Sequence, residues 1–165
     1  MSKIRIDSMK PEHWPEVEKI YLSGIATGLA TFESDSPSYK VWDDKFLKSC
    51  RLIALKENQV VGWAALQPVS NRKVYAGVAE ETLYIHPDFH NMGVGSLLLQ
   101  SIINESEENG FWMLTATIIE GNEISIHLHQ KLGFKVVGIR ERIAFHQGKW
   151  TSTILMDRRS HVVGV

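Results

Sequence analysis

The sequence predicts one mixed α/β domain, residues 1–165, whose mostly antiparallel sheet contains a single parallel crossover. Three observations predict it. Strand-like runs joined by short turns fill the first half, a Gly93-Val94-Gly95 turn separates a strand-like run from a helix-like run, and the chain closes with two strand-like runs around a turn. A chain of this length, 44% hydrophobic, can bury a single core without disulfides or metal.

The first elements are a strand followed by two helices. The run "IRIDSM" alternates as a strand does, and "KPEHWPEVEKIYLSGIA" predicts a helix. One face of that helix carries Trp14, Val17, Tyr21 and Ile25. Ser36-Pro37-Ser38 is a helix-start signal for "YKVWDDKFLKSC", because serine caps free N–H groups and proline presets φ.

A meander of strands follows. The runs are "RLIALK", "QVVGWAALQPV" and "VYAGVAEETLYIHP", separated by a turn at Glu57-Asn58 and by an irregular "SNRK". Because neighbours joined by short loops usually pair, these strands are expected to be antiparallel.

The second half contains the crossover and a terminal hairpin. Apolar residues at helical spacing follow the glycine turn as far as Gly110, and "FWMLTATII" predicts the next strand, so strand, helix and strand form a right-handed parallel unit. The run "NEISIHLHQKLGF" predicts a helix capped by Asn122 and ended by Gly133. The runs "KVVGIRERIAF" and "WTSTILM" flank a turn at Gln147-Gly148.

Composition excludes several functional classes. Eighteen Lys and Arg nearly balance 19 Asp and Glu without a basic run, which argues against nucleic-acid binding. No segment predicts a membrane span or a signal peptide, so we expect a cytoplasmic protein. The single cysteine, Cys50, excludes an internal disulfide and lies beside apolar helix positions, where we expect a buried small hydrophobe rather than a nucleophile.

The glycine turn predicts a phosphate site. Bare backbone before a helix presents N–H groups and the positive end of the helix dipole to a ligand, although a tight turn without a ligand has the same pattern. A P-loop requires Gly-Lys-Ser/Thr, which Ser96-Leu97 does not supply after Gly95. A dinucleotide fingerprint requires a small residue where Leu98 stands, although Glu120 ends the following strand as a ribose-binding acid would.

The stretch "ETLYIHPDFHNMGVGSLLL" resembles the GCN5-related N-acetyltransferases, whose signature is Arg/Gln-x-x-Gly-x-Gly/Ala between a strand and a helix. Here the signature reads His90-Asn91-Met92-Gly93-Val94-Gly95, so histidine replaces the first residue. The runs "TFESDSP", "SNRKVYAGVAEETLYIHP", "NEISIHLHQKLGF" and "FHQGKW" are similar to the phosphinothricin and methionine sulfoximine N-acetyltransferase branch. The likeness covers nearly the whole chain and implies the fold of that superfamily.

The resemblance implies acetyl-CoA as co-substrate. By that likeness the turn holds its pyrophosphate, the strand backbone before the turn binds the pantetheine arm, and Asn122 both caps its helix and donates to a pantetheine amide. The cofactor-binding residues expected on this basis are Leu83, Tyr84, Ile85, His90, Asn91, Met92, Gly93, Val94, Gly95, Ser96, Asn122 and Ser125.

Acetyl transfer to an amine needs a base, because an amino group is largely protonated at neutral pH. Glu80 and Glu81 are adjacent on a strand, so they face opposite sides and only one is expected to face the site. The family pattern Glu-x-Thr-x-Tyr selects Glu80 as the base, with a solvated strand carboxylate as the alternative, and Glu81 is left in that solvated role.

His129 matches a histidine of the phosphinothricin branch and is expected to donate to the leaving sulfur, unless it serves only its own helix. His127 and His129 are two apart on a helix and do not face each other, so no metal site is expected.

The resemblance also implies an acceptor wall, formed by Phe32 and Glu33 with Tyr75 nearby. Arg72 is expected either to bind a substrate carboxylate or to form a surface ion pair. We therefore expect acetylation of the α-amino group of a small L-amino acid, phosphinothricin or methionine sulfoximine by direct attack. The alternatives are another amine, such as a protein N-terminus or a polyamine, and a non-catalytic acyl-CoA-binding module.

The family likeness further implies a homodimer. Trp150, after the Gly148 turn, would either line a neighbour's pocket or anchor the last hairpin.

Overall fold

Seven strands form one sheet in the computed structural model, which describes residues 3–165. The helices are α1 (Trp14–Ala26), α2 (Tyr39–Lys45), α3 (Val94–Glu108) and α4 (Glu123–Lys131). The strands are β1 (Arg5–Ser8), β2 (Arg51–Lys56), β3 (Gln59–Pro68), β4 (Val78–Ile85), β5 (Met113–Ile119), β6 (Lys135–His146) and β7 (Lys149–Arg159).

The strand order is β1-β2-β3-β4-β5-β7-β6, and among the strands of residues 3–165 only β4 and β5 are parallel. The predicted meander, the β4-α3-β5 crossover and the terminal hairpin are therefore confirmed. The hairpin returns so that its second strand, β7, lies beside β5 and its first strand, β6, forms the edge of the sheet.

Each face of the sheet carries its own core. On one face Trp63 and Tyr84 pack with residues of α1 and α2, including Tyr21 and Trp42. On the other face α3 buries Leu98, Leu99, Ile102 and Ile103 among small strand residues. Since successive strand residues face opposite sides, this assigns the even-numbered residues of β4 to the α1 side and the odd-numbered ones to the α3 side.

The helix expected over residues 39–50 is shorter than predicted. Ser38 caps it as expected, its Oγ accepting from the N–H of Val41 at 3.3 Å, but the helix ends at Lys45. The N–H of Leu47 instead donates to the β3 carbonyl of Leu66, which continued helix would not allow. Arg51 then satisfies the carbonyls of Asp43 and Phe46 at the helix end.

Cys50 consequently lies outside a helix, against the expectation, in the bend immediately before β2 with φ +55°. The thiol is fully buried, as predicted, and this burial raises its pKa to about 11. A second difference concerns β4, which begins at Val78 because a 3₁₀ turn, Lys73–Tyr75, occupies the start of the predicted strand. Within residues 3–165 no helix is both long and apolar enough to cross a membrane.

Candidate active site

The parallel strands β4 and β5 separate partway along their length. Their register runs from Val78 opposite Met113 to Glu80 opposite Thr115 and ends there, while β4 continues to Ile85. The rest of β5 remains paired with β7 on its other side. The sheet therefore opens into a gap, and backbone groups of β4 that face β5 are left for a ligand.

A cavity of about 310 Å³ occupies this gap. Residues 80–84 of β4 and 117–119 of β5 line it, together with Asn122, which caps α4, and with Ser125 and His129 of that helix. Side chains of α1, α2 and β3 close the opposite side. Because the sheet is open at this place, the cavity reaches both of its faces.

Glu80 enters the cavity from the face that carries Tyr84, as predicted. Its Oε1 accepts from Nε2 of Gln67, its cross-strand neighbour on β3, at 2.6 Å. Its Oε2 accepts from Oγ1 of Thr117 on β5 at 3.0 Å. Two neutral donors on neighbouring strands thus hold this half-buried side chain in place across the gap.

Glu81 also lines the cavity, so the prediction that only one of the two carboxylates faces the site is wrong. The premise of opposite faces is correct, but the open sheet exposes both faces to the same cavity. The prediction of a solvated Glu81 is wrong as well, because its side chain is 4% exposed and packs against α4. Oε1 lies 2.5 Å from Nε2 of His129, whereas Oε2 has no hydrogen-bond partner within residues 3–165.

Both ring nitrogens of His129 face acceptors. Nδ1 donates to the carbonyl of Ser125 at 2.6 Å, and Nε2 donates to Glu81. Burial by itself lowers the pKa of His129, but the charge of Glu81, its hydrogen bond and the Ser125 carbonyl outweigh burial and raise that pKa. Both ring nitrogens thus have protein partners, and donation from His129 to a leaving sulfur stays a prediction.

Asn122 fixes the start of α4. Its side-chain oxygen accepts from the N–H of Ser125 at 3.3 Å, which confirms the predicted cap. Its Nδ2 donates to the carbonyl of Leu29 at 3.2 Å and thereby ties α4 to the loop after α1. The backbone carbonyl of Ser125 accepts from Nδ1 of His129. His127 is exposed, and no group of three or more potential metal ligands occurs in residues 3–165.

The glycine turn lies at the end of β4, next to the cavity strand. Nε2 of His90 donates to the carbonyl of Ile85 at 3.1 Å, so this histidine supports the loop. Asn91 and Gly93 take left-handed conformations at φ +60° and +80°, and Gly93 begins α3 without a side-chain cap. The first N–H groups of a helix have no intrahelical partner, so this terminus presents them to an anion.

The other residues expected to bind the cofactor lie on the glycine turn, on the start of α3 or on β4. Met92 is exposed, and residues 94–96 form the first turn of α3. Leu83 and Tyr84 line the cavity, while Ile85 ends β4.

The residues of the expected acceptor wall lie in two places. Phe32 and Glu33 line the cavity, whereas Arg72 and Tyr75 do not, and their contact with an acceptor stays a prediction. Both are exposed in the β3–β4 connection, where the Arg72 guanidinium lies 5.6 Å from the Tyr75 ring. Lys45 is the single Lys or Arg among the cavity residues of the described chain.

Several cavity residues were not predicted. Tyr21, Trp42 and Trp63 form its aromatic side, and Trp63 stacks on Tyr84 with centroids 5.1 Å apart. The indole N–H groups of Trp42 and Trp63 are buried without partners in the described chain. Their sequence signal is that of core residues, and only the β3–β4 register and the position of α2 bring them to the site.

Comparisons with known proteins all identify acetyltransferases as similar to this chain. Residues 12–134 match the Acetyltransferase (GNAT) family. The phosphinothricin N-acetyltransferase of Alcaligenes faecalis is 29% identical over 160 residues, 91% of this chain and 79% of the relative. The L-methionine sulfoximine/L-methionine sulfone acetyltransferase of Pseudomonas aeruginosa PAO1 is 30% identical over 99 residues, 60% of this chain and 58% of the relative.

A solved structure shares the whole architecture. The GNAT superfamily phosphinothricin acetyltransferase of Sinorhizobium meliloti, in complex with AcCoA, superposes with a TM-score of 0.89 at 26% identity. The alignment covers 99% of this chain and 91% of that one.

Proposed function

The chain belongs to the acetyltransferase (GNAT) family, and from that premise we propose that it acetylates the α-amino group of a small L-amino acid or an analogue such as phosphinothricin or methionine sulfoximine. As a family member it is an acetyltransferase that uses acetyl-CoA as co-substrate. The observation that carries the proposal is the gap between β4 and β5, which holds Glu80 and opens next to the glycine turn.

In this proposal acetyl-CoA lies along the free edge of β4. The open N-terminus of α3 at Gly93 fits the pyrophosphate, since its N–H groups and its dipole favour an anion. Backbone groups of Leu83, Tyr84 and Ile85 beyond the last β4–β5 pair would bind the pantetheine amides. The thioester then reaches the cavity beside Glu80.

Glu80 is the proposed general base. An acceptor enters as an ammonium ion, whose proton passes to the Glu80 carboxylate directly or through water. The neutral nitrogen attacks the acetyl carbonyl carbon, a carbon–nitrogen bond forms and the carbon–sulfur bond breaks. The second proton of the attacking nitrogen passes to the departing sulfur, which leaves as the thiol of CoA, and Glu80 releases its proton to solvent. Gln67 and Thr117 orient the carboxylate for this step, because each holds one of its oxygens.

Attack within a ternary complex is favoured over an acyl-enzyme. The only cysteine is fully buried, and a thiol whose pKa is raised to about 11 carries little thiolate at neutral pH. Cys50 is also absent from the cavity lining.

The acceptor side chain would lie against Phe32 and the aromatic side of the cavity. Lys45 at the rim is the cation proposed to face the acceptor's carboxylate, a role first expected for Arg72. A polyamine is the second candidate acceptor, because the cavity carries three carboxylates, Glu33, Glu80 and Glu81, and only one lysine.

We also propose a homodimer formed through the terminal hairpin. The edge strand β6 exposes Val137, Ile139, Ile143 and Phe145, and Trp150 of β7 is exposed beside Phe145. An edge strand with several exposed large apolar side chains is typical of an association surface.

Release of CoA thiol tests the acceptor class. The purified protein is assayed with acetyl-CoA against a panel of L-amino acids, phosphinothricin, methionine sulfoximine, spermidine and a peptide with a free N-terminus. Turnover confined to the amino-acid class supports the proposal. Turnover with spermidine alone would make a polyamine the acceptor. Binding of acetyl-CoA without turnover of any amine would contradict the proposed activity.

A further inference from the structure

We propose that Oε2 of Glu81 binds the amino group of the acceptor, and that His129 is the positioning residue that holds Glu81 for this contact. The inference rests on the proposed function and extends it. It divides the work between two adjacent carboxylates, one that binds the amine and one, Glu80, that takes its proton.

The first support is the unequal surroundings of the two Glu81 oxygens. Oε1 lies 2.5 Å from Nε2 of His129. Oε2 is also buried, but it has no hydrogen-bond partner within residues 3–165. An unpaired buried oxygen of a carboxylate is costly, and such groups in native proteins normally have a partner. The cavity that Glu81 lines is where a partner can enter.

The second support is charge. A carbonyl at Nδ1 and a carboxyl oxygen at Nε2 both favour the imidazolium form of His129, which offsets the charge of Glu81 and makes a buried carboxylate tolerable. An ionised carboxylate accepts at both oxygens and has no donor of its own. Its free oxygen therefore selects an N–H or O–H donor, and an ammonium group is the donor that acetyl transfer requires.

The third support is the position of Glu81 relative to Glu80. The two side chains enter one cavity from opposite faces of β4, at the residue where β4 and β5 part. Both oxygens of Glu80 already accept from Gln67 and Thr117. Glu81 is thus the carboxylate with an oxygen available to hold the nitrogen before the proton leaves.

His129 acts on the acceptor only through Glu81. Its ring is fixed by the Ser125 carbonyl and by an edge contact with Phe134, whose centroid lies 5.0 Å away. Loss of this ring frees Oε1 and lets the carboxylate rotate away from the cavity. His127 lies on the same helix but is exposed, and it serves as the matched control.

The test removes the amino group from the ligand and the charge from the protein. Binding of L-methionine sulfone and of its counterpart without the amino group, 4-(methylsulfonyl)butanoate, is measured by calorimetry in the presence of CoA, which prevents turnover. The proteins are the native enzyme, Glu81→Gln, and Glu123→Gln as an exposed carboxylate control on α4. Thermal unfolding of each variant is recorded first.

In the native enzyme and in Glu123→Gln the amino group is expected to strengthen binding by about tenfold or more, the size of a charge-assisted hydrogen bond. In Glu81→Gln this preference should nearly vanish, because the side-chain amide turns its NH₂ toward the ammonium group. A folded Glu81→Gln with the native preference overturns the inference. So does a native enzyme that binds both ligands equally while it acetylates amino acids.

Two further measurements keep the test decisive. If Glu81→Gln does not fold, Glu81→Asp is used, and its shorter arm should raise KM for the amine but leave KM for acetyl-CoA unchanged; an unchanged amine KM overturns the inference. The second measurement compares two histidine variants. His129→Gln should raise KM for the amine, whereas His127→Gln should leave it unchanged.

If the native enzyme acetylates spermidine and no amino acid, the proposed acceptor class fails. The ammonium site is then judged on the spermidine KM of Glu81→Gln, where a rise of about tenfold supports it and no change overturns it.

Discussion

Nε2 of His129 on α4 lies 2.5 Å from Oε1 of Glu81 on β4, and the two side chains are only 3% and 4% exposed. The contact joins residues 48 positions apart across the cavity. It therefore connects the helix after β5 to the strand before α3, on either side of the gap in the sheet.

Loss of His129 should destabilise the fold. His129→Gln removes the positive partner of a buried carboxylate, and breaking a buried pair in this way costs about 3–5 kcal/mol. The free energy of unfolding, measured in urea by tryptophan fluorescence, is expected to fall by that order. His127→Gln, an exposed change on the same helix, should leave it unchanged. Equal stability of the two variants would mean that the pair is not ionised.

The same pair makes stability depend on pH. Because the pKa of His129 is raised in the folded state above its ordinary 6.5, its contribution is complete below that value and is lost as pH rises through the folded pKa. The difference in unfolding free energy between native protein and His129→Gln should therefore shrink as the pH rises above 6.5 and through the raised pKa of His129. A difference that grows with pH would contradict the imidazolium assignment.

Glu80→Gln should lower kcat by about 10²–10⁴-fold, the usual contribution of a general base. The amide keeps the size of the side chain: its oxygen can accept from Gln67 and its NH₂ can donate to the hydroxyl of Thr117, so KM for acetyl-CoA should not change. Steady-state kinetics and CoA calorimetry measure both quantities, with Glu123→Gln as the surface control. Full turnover in Glu80→Gln would exclude it as the base.

The two ends of α3 offer a matched pair of glycines. Gly93 and Gly110 have φ values of +80° and +83°, and a Cβ at either would meet no atom within 4 Å. Alanine should cost about 1–2 kcal/mol of strain at each. Only Gly93→Ala should weaken CoA binding, by about tenfold, because it disturbs the amides that face the pyrophosphate. Equal CoA affinity in both variants would place the pyrophosphate elsewhere.

Charge on the terminal hairpin should dissociate the proposed dimer. Phe145 and Trp150 are 64% and 60% exposed and contact each other, so Phe145→Glu with Trp150→Glu places two charges in the apolar face. Sedimentation velocity should show a dimer for the native protein and a monomer for this double variant. Val162→Glu, at an exposed apolar residue of the C-terminal segment, should remain dimeric. A native monomer would contradict the proposal.

Local patterns in the sequence predict most of the fold. The spacing of apolar residues in α1 and α3, the cap at Ser38 and the turns at Glu57-Asn58 and Gln147-Gly148 act over a few residues, and the structure contains all of them. The end of α2 escaped prediction because it depends on Arg51 and on a bond from Leu47 to β3, which join segments that no local pattern connects.

The order of elements, the position of the glycine turn and the presence of Glu80 on the strand before it can be read from the amino-acid sequence, because each depends on backbone preference or on side-chain alternation. The separation of β4 and β5 after Glu80, the pairing of Glu81 with His129 and the place of Lys45 rather than Arg72 at the cavity cannot. These relationships depend on strand register and on the packing of α2 and α4, which bring distant segments together.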